Sequence, residues 1–206
     1  MPELPKEIEV KYLISSHTEL ENRLLKAGAS LQATRVFELN LRFDRLDGSL
    51  MHNHQVLRLR MDSVAHLTFK GPADPTQPAA VRPEIEFAVS SFDSARTFLE
   101  ALGYAVVITY EKYRTTYLLE GAMVTLDELP IGNFMEIEAS DIATLQRISR
   151  LLALDWKARS SLSYLALFDL ACTACNLSAC NLTFAELKDA TITPQDLNLH
   201  FADRPA

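Results

Sequence analysis

In Glu7-Ile8-Glu9-Val10-Lys11, charged and apolar residues alternate one for one. Successive side chains of a strand point to opposite faces. Glu7, Glu9 and Lys11 therefore share one face, and Ile8, Val10 and Tyr12 share the other. The alternation returns in Leu57-Arg58-Leu59-Arg60-Met61, Leu67-Thr68-Phe69-Lys70 and Arg82-Pro83-Glu84-Ile85-Glu86-Phe87. It returns again in Lys112-Tyr113-Arg114, Leu126-Asp127-Glu128 and Phe134-Met135-Glu136-Ile137-Glu138. Strand after strand presents a charged face carrying both signs. One-sided charge on so many strands predicts a closed antiparallel barrel of roughly eight strands with a polar lumen. The apolar outer face then needs covering by helices, so the expected class is α+β with the helices packed outside. A lumen of both signs suits a polyanion and its metal ions, with Lys and Arg for phosphate and carboxylates for the cation.

The rest of the pattern supplies the strands and helices. Residues 6–14 read as a strand. Ser16-His17-Thr18-Glu19 is a capping-box pattern, Leu20, Leu24 and Leu25 follow at helical spacing, and Gly28 ends that helix. Residues 31–45 read as a long strand with Phe37, Leu39, Leu41 and Phe43 on one face, and Asp47-Gly48 as a turn. Residues 55–62 and 65–71 form an antiparallel pair, 71–83 a loop, and 82–90 a strand. Ser91 or Asp93 caps a helix reaching Leu102 and ended by Gly103. Strands follow at 104–119, 123–129 and 133–140. Asp141 caps a helix through Leu152, and Ser160 or Ser161 starts another that reaches Cys172.

The chain has 206 residues, nearly half of them hydrophobic, enough for one packed domain with an appendage. The net charge of −7 argues against duplex nucleic acid as a partner. No apolar run is long enough to span a membrane, and Met1-Pro2-Glu3-Leu4-Pro5-Lys6 lacks a signal core. The expectation is a cytoplasmic protein, monomer or homodimer. Cys172, Cys175 and Cys180 contain a Cys-x-x-Cys, but a structural zinc site needs four ligands and no second pair is near. Reduced thiols packed as small apolar groups are the expectation. His52 and His54 read as a solvated loop, and Trp156 as packing.

The pattern changes after Cys172, so the expected division is 1–172 for the tunnel domain and 173–206 for a C-terminal extension. Leu177, Leu182, Leu187, Ile192 and Leu197 recur every five residues, which resembles pentapeptide repeats and their square solenoid. So short a stack buries little core. The rival is two short helices, one after Thr183 and one with Pro194 at its first turn. Either way the tunnel chemistry is expected to do without the extension.

The charged set has a direct chemical reading. Glu7 with Glu9, and Glu136 with Glu138, are two same-face carboxylate pairs that repel unless a hard divalent cation binds their oxygens. Arg58 with Arg60, and Lys112 with Arg114, are basic pairs that, with Lys11 and Lys70, hold linked phosphates. Asp127 faces the lumen, because Leu126 and Leu129 want the core. Arg42 and Asp44 share a face of the long strand, Glu84 and Glu86 orient the basic residues or help bind metal, Arg82 joins them, and Lys157 is placed to reach the same anion. The competing reading of each is an exposed, salt-bridged strand face.

Taken in order, these elements resemble the CYTH superfamily of class IV adenylyl cyclases, thiamine triphosphatases and triphosphate tunnel metalloenzymes. The resemblance spans roughly residues 6–168 and rests on Glu7-x-Glu9-x-Lys11, Phe43-Asp44, Leu57–Arg60, Thr68–Gly71, Arg82 with Glu84 and Glu86, Lys112–Arg114, Asp127 and Glu136-Ile137-Glu138. Ser163-Tyr164-Leu165 resembles the closing helix. The resemblance implies Mg²⁺- or Mn²⁺-dependent hydrolysis of a triphosphate, inorganic or nucleoside. Glu7, Glu9, Lys11 and Lys70 would be catalytic, and Lys11, Arg58, Arg60, Lys70, Arg82, Lys112 and Arg114 would bind substrate. Glu7, Glu9, Asp127, Glu136 and Glu138 would hold metal, with Arg42, Asp44, Glu84, Glu86 and Lys157 in support. The cyclase branch, making cyclic AMP and pyrophosphate from ATP, often carries His-Phe shortly before this run, where Met1-Pro2 stands here. A third possibility is a polyphosphate- or nucleotide-binding module without chemistry, which has no need of the four carboxylates.

Overall fold

A computed structural model describes residues 4–204. Its frame is a ring of eight antiparallel strands. These are β1 (Lys6–Ile14), β2 (Ser30–Asp44), β3 (Val56–Met61), β4 (Ala65–Lys70), β5 (Ala80–Val89), β6 (Ala105–Leu119), β7 (Ala122–Leu129) and β8 (Gly132–Glu138). The order around the ring is β5-β4-β3-β2-β6-β7-β8-β1, and β1 pairs back to β5 through Glu7 opposite Arg82 and Glu9 opposite Ala80. A two-residue strand, β9 (Arg159–Ser160), continues along the same edge of β1 opposite Lys11 and Tyr12. The sequence gives no sign of so short a strand. The long strand β2 bends at register shifts near Leu31–Val36 and Arg42/Phe43, as closure of a ring requires.

Helices α1 (His17–Lys26), α3 (Phe92–Ala101), α4 (Ile142–Leu151) and α5 (Tyr164–Cys175) lie outside the ring. Each is capped by a side chain that satisfies an N-terminal amide. Ser16 accepts from Glu19 N–H, Ser91 from Ser94, Asp141 from Thr144 and Ser163 from Ala166. The last helix therefore starts at Ser163, not at Ser160 or Ser161. Gly28 (φ +86) and Gly103 (φ +85) follow α1 and α3 in a left-handed conformation that suits glycine. The Asp47-Gly48 turn leads directly into a short helix, α2 (Ser49–His52).

The outer face of the ring is where the core forms. Val10, Tyr12 and Ile14 of β1 pack with Val124, Leu126 and Ile137 against Leu20 and Leu24 of α1 and Leu145 and Ile148 of α4. Leu99 of α3 packs on Leu41, Phe43 and Leu59. Each such leucine, isoleucine or phenylalanine contributes about 1.5–3 kcal/mol by leaving water. The apolar partners of the alternating charges thus hold the ring together and force the charges inward.

Residues after α5 form neither a stacked solenoid nor two helices. They run as an extended strap with turns and one 3₁₀ turn, Pro194–Leu197, capped by Thr193. The strap has a sheet edge to fill. β7 pairs with β6 only from Tyr113 onward, leaving the earlier edge of β6 open. There Leu182 N–H donates to Thr109 O (3.0 Å), and Glu111 N–H donates to Leu182 O (2.9 Å). Leu182, Leu187 and Leu197 join Tyr110, Tyr164, Leu167 and Phe168 in one buried cluster. The five-residue spacing is real, but its leucines face the ring and α5 rather than further coils. Near its end the strap returns to β1, where Ala202 N–H donates to Leu13 O (2.9 Å) and Asp203 accepts from Ser15 N–H (2.9 Å).

Candidate functional site

The ring encloses a cavity of about 770 Å³. Glu7, Glu9, Lys11, Arg42, Arg58, Arg60, Lys70, Arg82, Glu84, Glu86, Lys112, Arg114, Glu136 and Glu138 all line it. The alternation read from the sequence therefore brings residues from seven strands onto one interior surface.

The charges are interleaved. Lys70 Nζ donates to both oxygens of Glu7 (2.6 Å each) and lies 3.2 Å from Glu84. Arg82 bridges Glu7 (3.3 Å) and Glu9 (3.8 Å). Glu136 is shared by Lys11 and Arg114. Arg58 and Arg60 each donate to Glu86 (3.1 Å), which also accepts from Thr68 (2.6 Å). These pairs offset much of the cost of enclosing charge. Arg42 differs. Among the described residues it forms no salt bridge, and burial, then Arg58 and Arg82, outweigh Tyr110 and Asp44 and lower its ordinarily high pKa.

The carboxylates divide into two environments. Burial alone raises Glu136, but Lys11, Arg114 and Lys112 more than offset this and hold it well below the usual carboxylate range. Burial, and then the charges of Glu7, Glu9 and Glu84, push Glu138 up to about 7. Glu9 is also raised, by burial and then by Glu136. Glu9 and Glu138 are direct cross-strand neighbours, so their side chains crowd on one face. Glu138 sits at the open edge of the lumen, where water softens this repulsion without reversing it. Crowded carboxylate oxygens with raised pKa values are a donor set that fits a hard divalent cation. Among the described residues no three carboxylate, histidine or cysteine side chains converge into a ready-made cage.

Three expected positions lie outside the cavity wall. Asp127 was expected to hold metal, but it is fully buried behind the wall, and its oxygens accept from Lys112 (2.9 Å), Arg114 Nε (2.6 Å) and Tyr164 Oη (2.8 Å). With its oxygens taken, it orients Lys112 and Arg114. Asp44 accepts the backbone N–H groups of Arg45, Leu50 and Met51, which hold it ionised against the effect of burial and fix α2 as a lip of the cavity. Lys157 is exposed in the 3₁₀ turn Trp156–Ala158, away from the cavity.

The structure adds residues that the sequence reading passed over. Glu38 is buried beside Lys112 (3.4 Å) and Arg60 (4.0 Å). Tyr110 accepts from Arg58 (3.2 Å), and Tyr164 lines the wall. Glu38 stands four residues before Arg42 and Tyr110 two before Lys112, so the same alternation marked both. Tyr164 carries no such alternation and is marked only by the resemblance of Ser163-Tyr164-Leu165 to the closing helix, without a role. His52 and His54 are exposed, and His54 edges the cavity with Met51 and Gln55. Trp156 packs partly against the α1–α4 core, with Arg159 4.6 Å over its ring. Cys172 and Cys175 are half-buried and Cys180 is exposed, all as free thiols.

Fold and site together define a class: a closed antiparallel ring whose enclosed lumen carries carboxylates and basic side chains in register. The chain belongs to the CYTH family, whose domain model matches residues 5–151. Members of this family bind triphosphate substrates, generally with divalent metals, and are typically enzymes. No curated protein matches the chain. Among solved structures, the chain is similar to a Vibrio parahaemolyticus protein provisionally named an adenylate cyclase, with TM-score 0.70 and 22% identity, covering 81% of this chain and 99% of that one. It is similar to a Pyrococcus horikoshii protein, with TM-score 0.68 and 24% identity, covering 79% and 97%. It is also similar to a Hippeastrum protein, provisionally named an adenylyl cyclase and described as having a dominant triphosphatase activity, with TM-score 0.60 and 17% identity, covering 79% and 95%. At these identities the likeness shows the fold. No helix among the described residues is long and apolar enough to cross a membrane.

Proposed function

We propose that this chain is a divalent-metal-dependent triphosphatase, hydrolysing inorganic tripolyphosphate or a nucleoside triphosphate inside the ring. The observation that carries this reading is an enclosed lumen in which carboxylates and basic pairs interleave, with Glu9 and Glu138 crowded against each other and raised in pKa. Glu7, Glu9, Glu136 and Glu138 are the residues that would hold Mg²⁺ or Mn²⁺. When bound, the metal neutralises phosphate charge and positions the attacking water.

The chain's own residues do the rest. Arg58 and Arg60, steadied by Glu86, present guanidinium N–H groups to two phosphate oxygens. Lys112 and Arg114, steadied by Asp127 and Glu38, present a second pair. Arg42, which forms no salt bridge among the described residues, offers its guanidinium to the end of the polyanion. Lys11 and Lys70 place point charges beside the carboxylates, where charge builds on the transferred phosphoryl group. The ring walls limit bulk water. The substrate is a free small molecule in the cytoplasm, and nucleic acid and membrane play no part.

The Hippeastrum neighbour's dominant activity supports hydrolysis, and the Vibrio neighbour's name keeps cyclisation as the rival. Purified protein with Mg²⁺ or Mn²⁺, offered tripolyphosphate, ATP and thiamine triphosphate in turn, decides between them. Orthophosphate with the shortened polyphosphate or diphosphate is the expected product. Cyclic AMP with pyrophosphate would replace the triphosphatase by the cyclase. Tight binding without turnover of any substrate would make the chain a binding module.

A further inference from the structure

Tyr164, the first residue of α5, lies beyond the residues that match the CYTH model. It is nonetheless part of the cavity wall. Lys11 Nζ stands 4.1 Å from its ring centroid, and Lys112 Nζ stands 5.3 Å away. Its hydroxyl donates to Asp127 (2.8 Å), the carboxylate that also receives Lys112 and Arg114. Phe134 meets the ring edge-on at 5.2 Å. Burial, and then Asp127 and Glu136, keep the phenol well above its ordinary pKa, so it remains a donor at neutral pH. One side chain thus stands against two ammonium groups assigned to phosphate handling and bonds the carboxylate that orients one of them.

We propose that Tyr164 is a positioning residue: its ring fixes the Lys11 ammonium at the cavity wall, and so sets how strongly the lumen holds a triphosphate. The inference rests on the triphosphate reading of the site. A buried aromatic face attracts an ammonium through its quadrupole, and the attraction grows as water is excluded. Without the ring, Lys11 keeps Glu136 but has nothing to hold it at a fixed distance from the cavity. The hydroxyl plays the lesser part, because Asp127 keeps Lys112 and Arg114 without it.

The test is a double-mutant cycle of Tyr164→Leu with Lys11→Gln, read by calorimetric binding of tripolyphosphate in Ca²⁺. Tyr164→Leu should weaken binding about three- to thirtyfold, and Tyr164→Phe, which keeps the ring, less than about threefold. In the double variant, Tyr164→Leu should add little to Lys11→Gln. Phe134→Leu, a change in the same apolar cluster, should add its effect in full. Fully additive losses for Tyr164→Leu, or equal losses in the Phe and Leu variants, would overturn the proposal. Should Tyr164→Leu fold poorly, Tyr164→Met keeps the volume without an aromatic face. The same cycle on urea unfolding reads the contact with no substrate present, and additivity there would also overturn the proposal. Wild-type protein that does not bind tripolyphosphate would overturn the triphosphate reading, and the unfolding cycle would still decide whether Tyr164 holds Lys11.

Discussion

At the scale of single residues, the lumen sets effects that can be measured one side chain at a time. Arg60 makes charge-assisted contacts of about 1.5–3 kcal/mol, so Arg60→Ala should weaken tripolyphosphate binding about ten- to hundredfold. The barrel should lose less stability than a broken buried pair costs, because Glu86 keeps Arg58 and Thr68 and Glu38 keeps Lys112 when Arg60 is removed. Asp127→Ala should do the opposite. It strands Lys112 and Arg114 without their shared carboxylate, and a broken buried pair costs about 3–5 kcal/mol, which a urea titration reads as a large drop in midpoint. Glu138 gives a pH signature. Its folded pKa of about 7 lies above the value of an unfolded glutamate. The folded state therefore binds the extra proton between those two values, and this group's contribution to stability falls as pH rises through that window. Glu138→Gln should gain stability relative to wild type on going from pH 5 to pH 8 in metal-free buffer. Mg²⁺ should raise the melting temperature of the wild type more at pH 8 than at pH 5.5, since protons compete for the same oxygens. An equal rise at both values would count against the carboxylates as the metal's ligands.

At the scale of elements, period-two alternation was legible almost everywhere, and with it every long strand of the ring. Caps were legible too, because Ser16, Ser91 and Asp141 announce helix starts chemically. What failed was tertiary in origin. Thr183 and Thr193 do cap, the first a single turn and the second the 3₁₀ turn Pro194–Leu197, yet neither starts a full helix, because an open edge on β6 and an apolar surface on α5 hold the rest of that segment extended. Nothing local shows that β6 has an unpaired stretch, since this follows from where β7 turns back. Asp44 misled for a related reason: its alternation with Arg42 is correct, but the Gly48 turn brings three backbone amides to its carboxylate. The packing of the strap changes the expected outcome of removing it. Leu182 is fully buried over Tyr110, which supports Arg58. Leu182→Ala should cost about 2–5 kcal/mol in a urea titration. Deleting 176–206 should lower stability further and expose the β6 edge to association. A truncated protein as stable and monodisperse as the full chain would show that the strap contributes nothing to the ring.

At the scale of the whole molecule, the apolar and charged halves of one alternating pattern do separate work. The apolar half packs α1, α3, α4 and α5 against the ring and supplies the stability. The charged half is forced inward, where interleaved pairs hold it at tolerable cost until a polyanion and its cation rearrange them. The sequence carried this division because it is written in every strand. It carried closure as well, but not that β1 and β5 are the strands that meet, nor that Tyr164 of α5 would stand against Lys11, because both depend on contacts far apart in the chain. The central claim is that the enclosed carboxylates and basic pairs act together on a triphosphate. Orthophosphate release from tripolyphosphate with Mg²⁺ or Mn²⁺, by the wild type beside Glu9→Gln, tests it most directly. Steady release by the wild type, and loss to background in a Glu9→Gln protein that melts normally, is the predicted result. A Glu9→Gln protein that releases phosphate at the wild-type rate in saturating metal would contradict it.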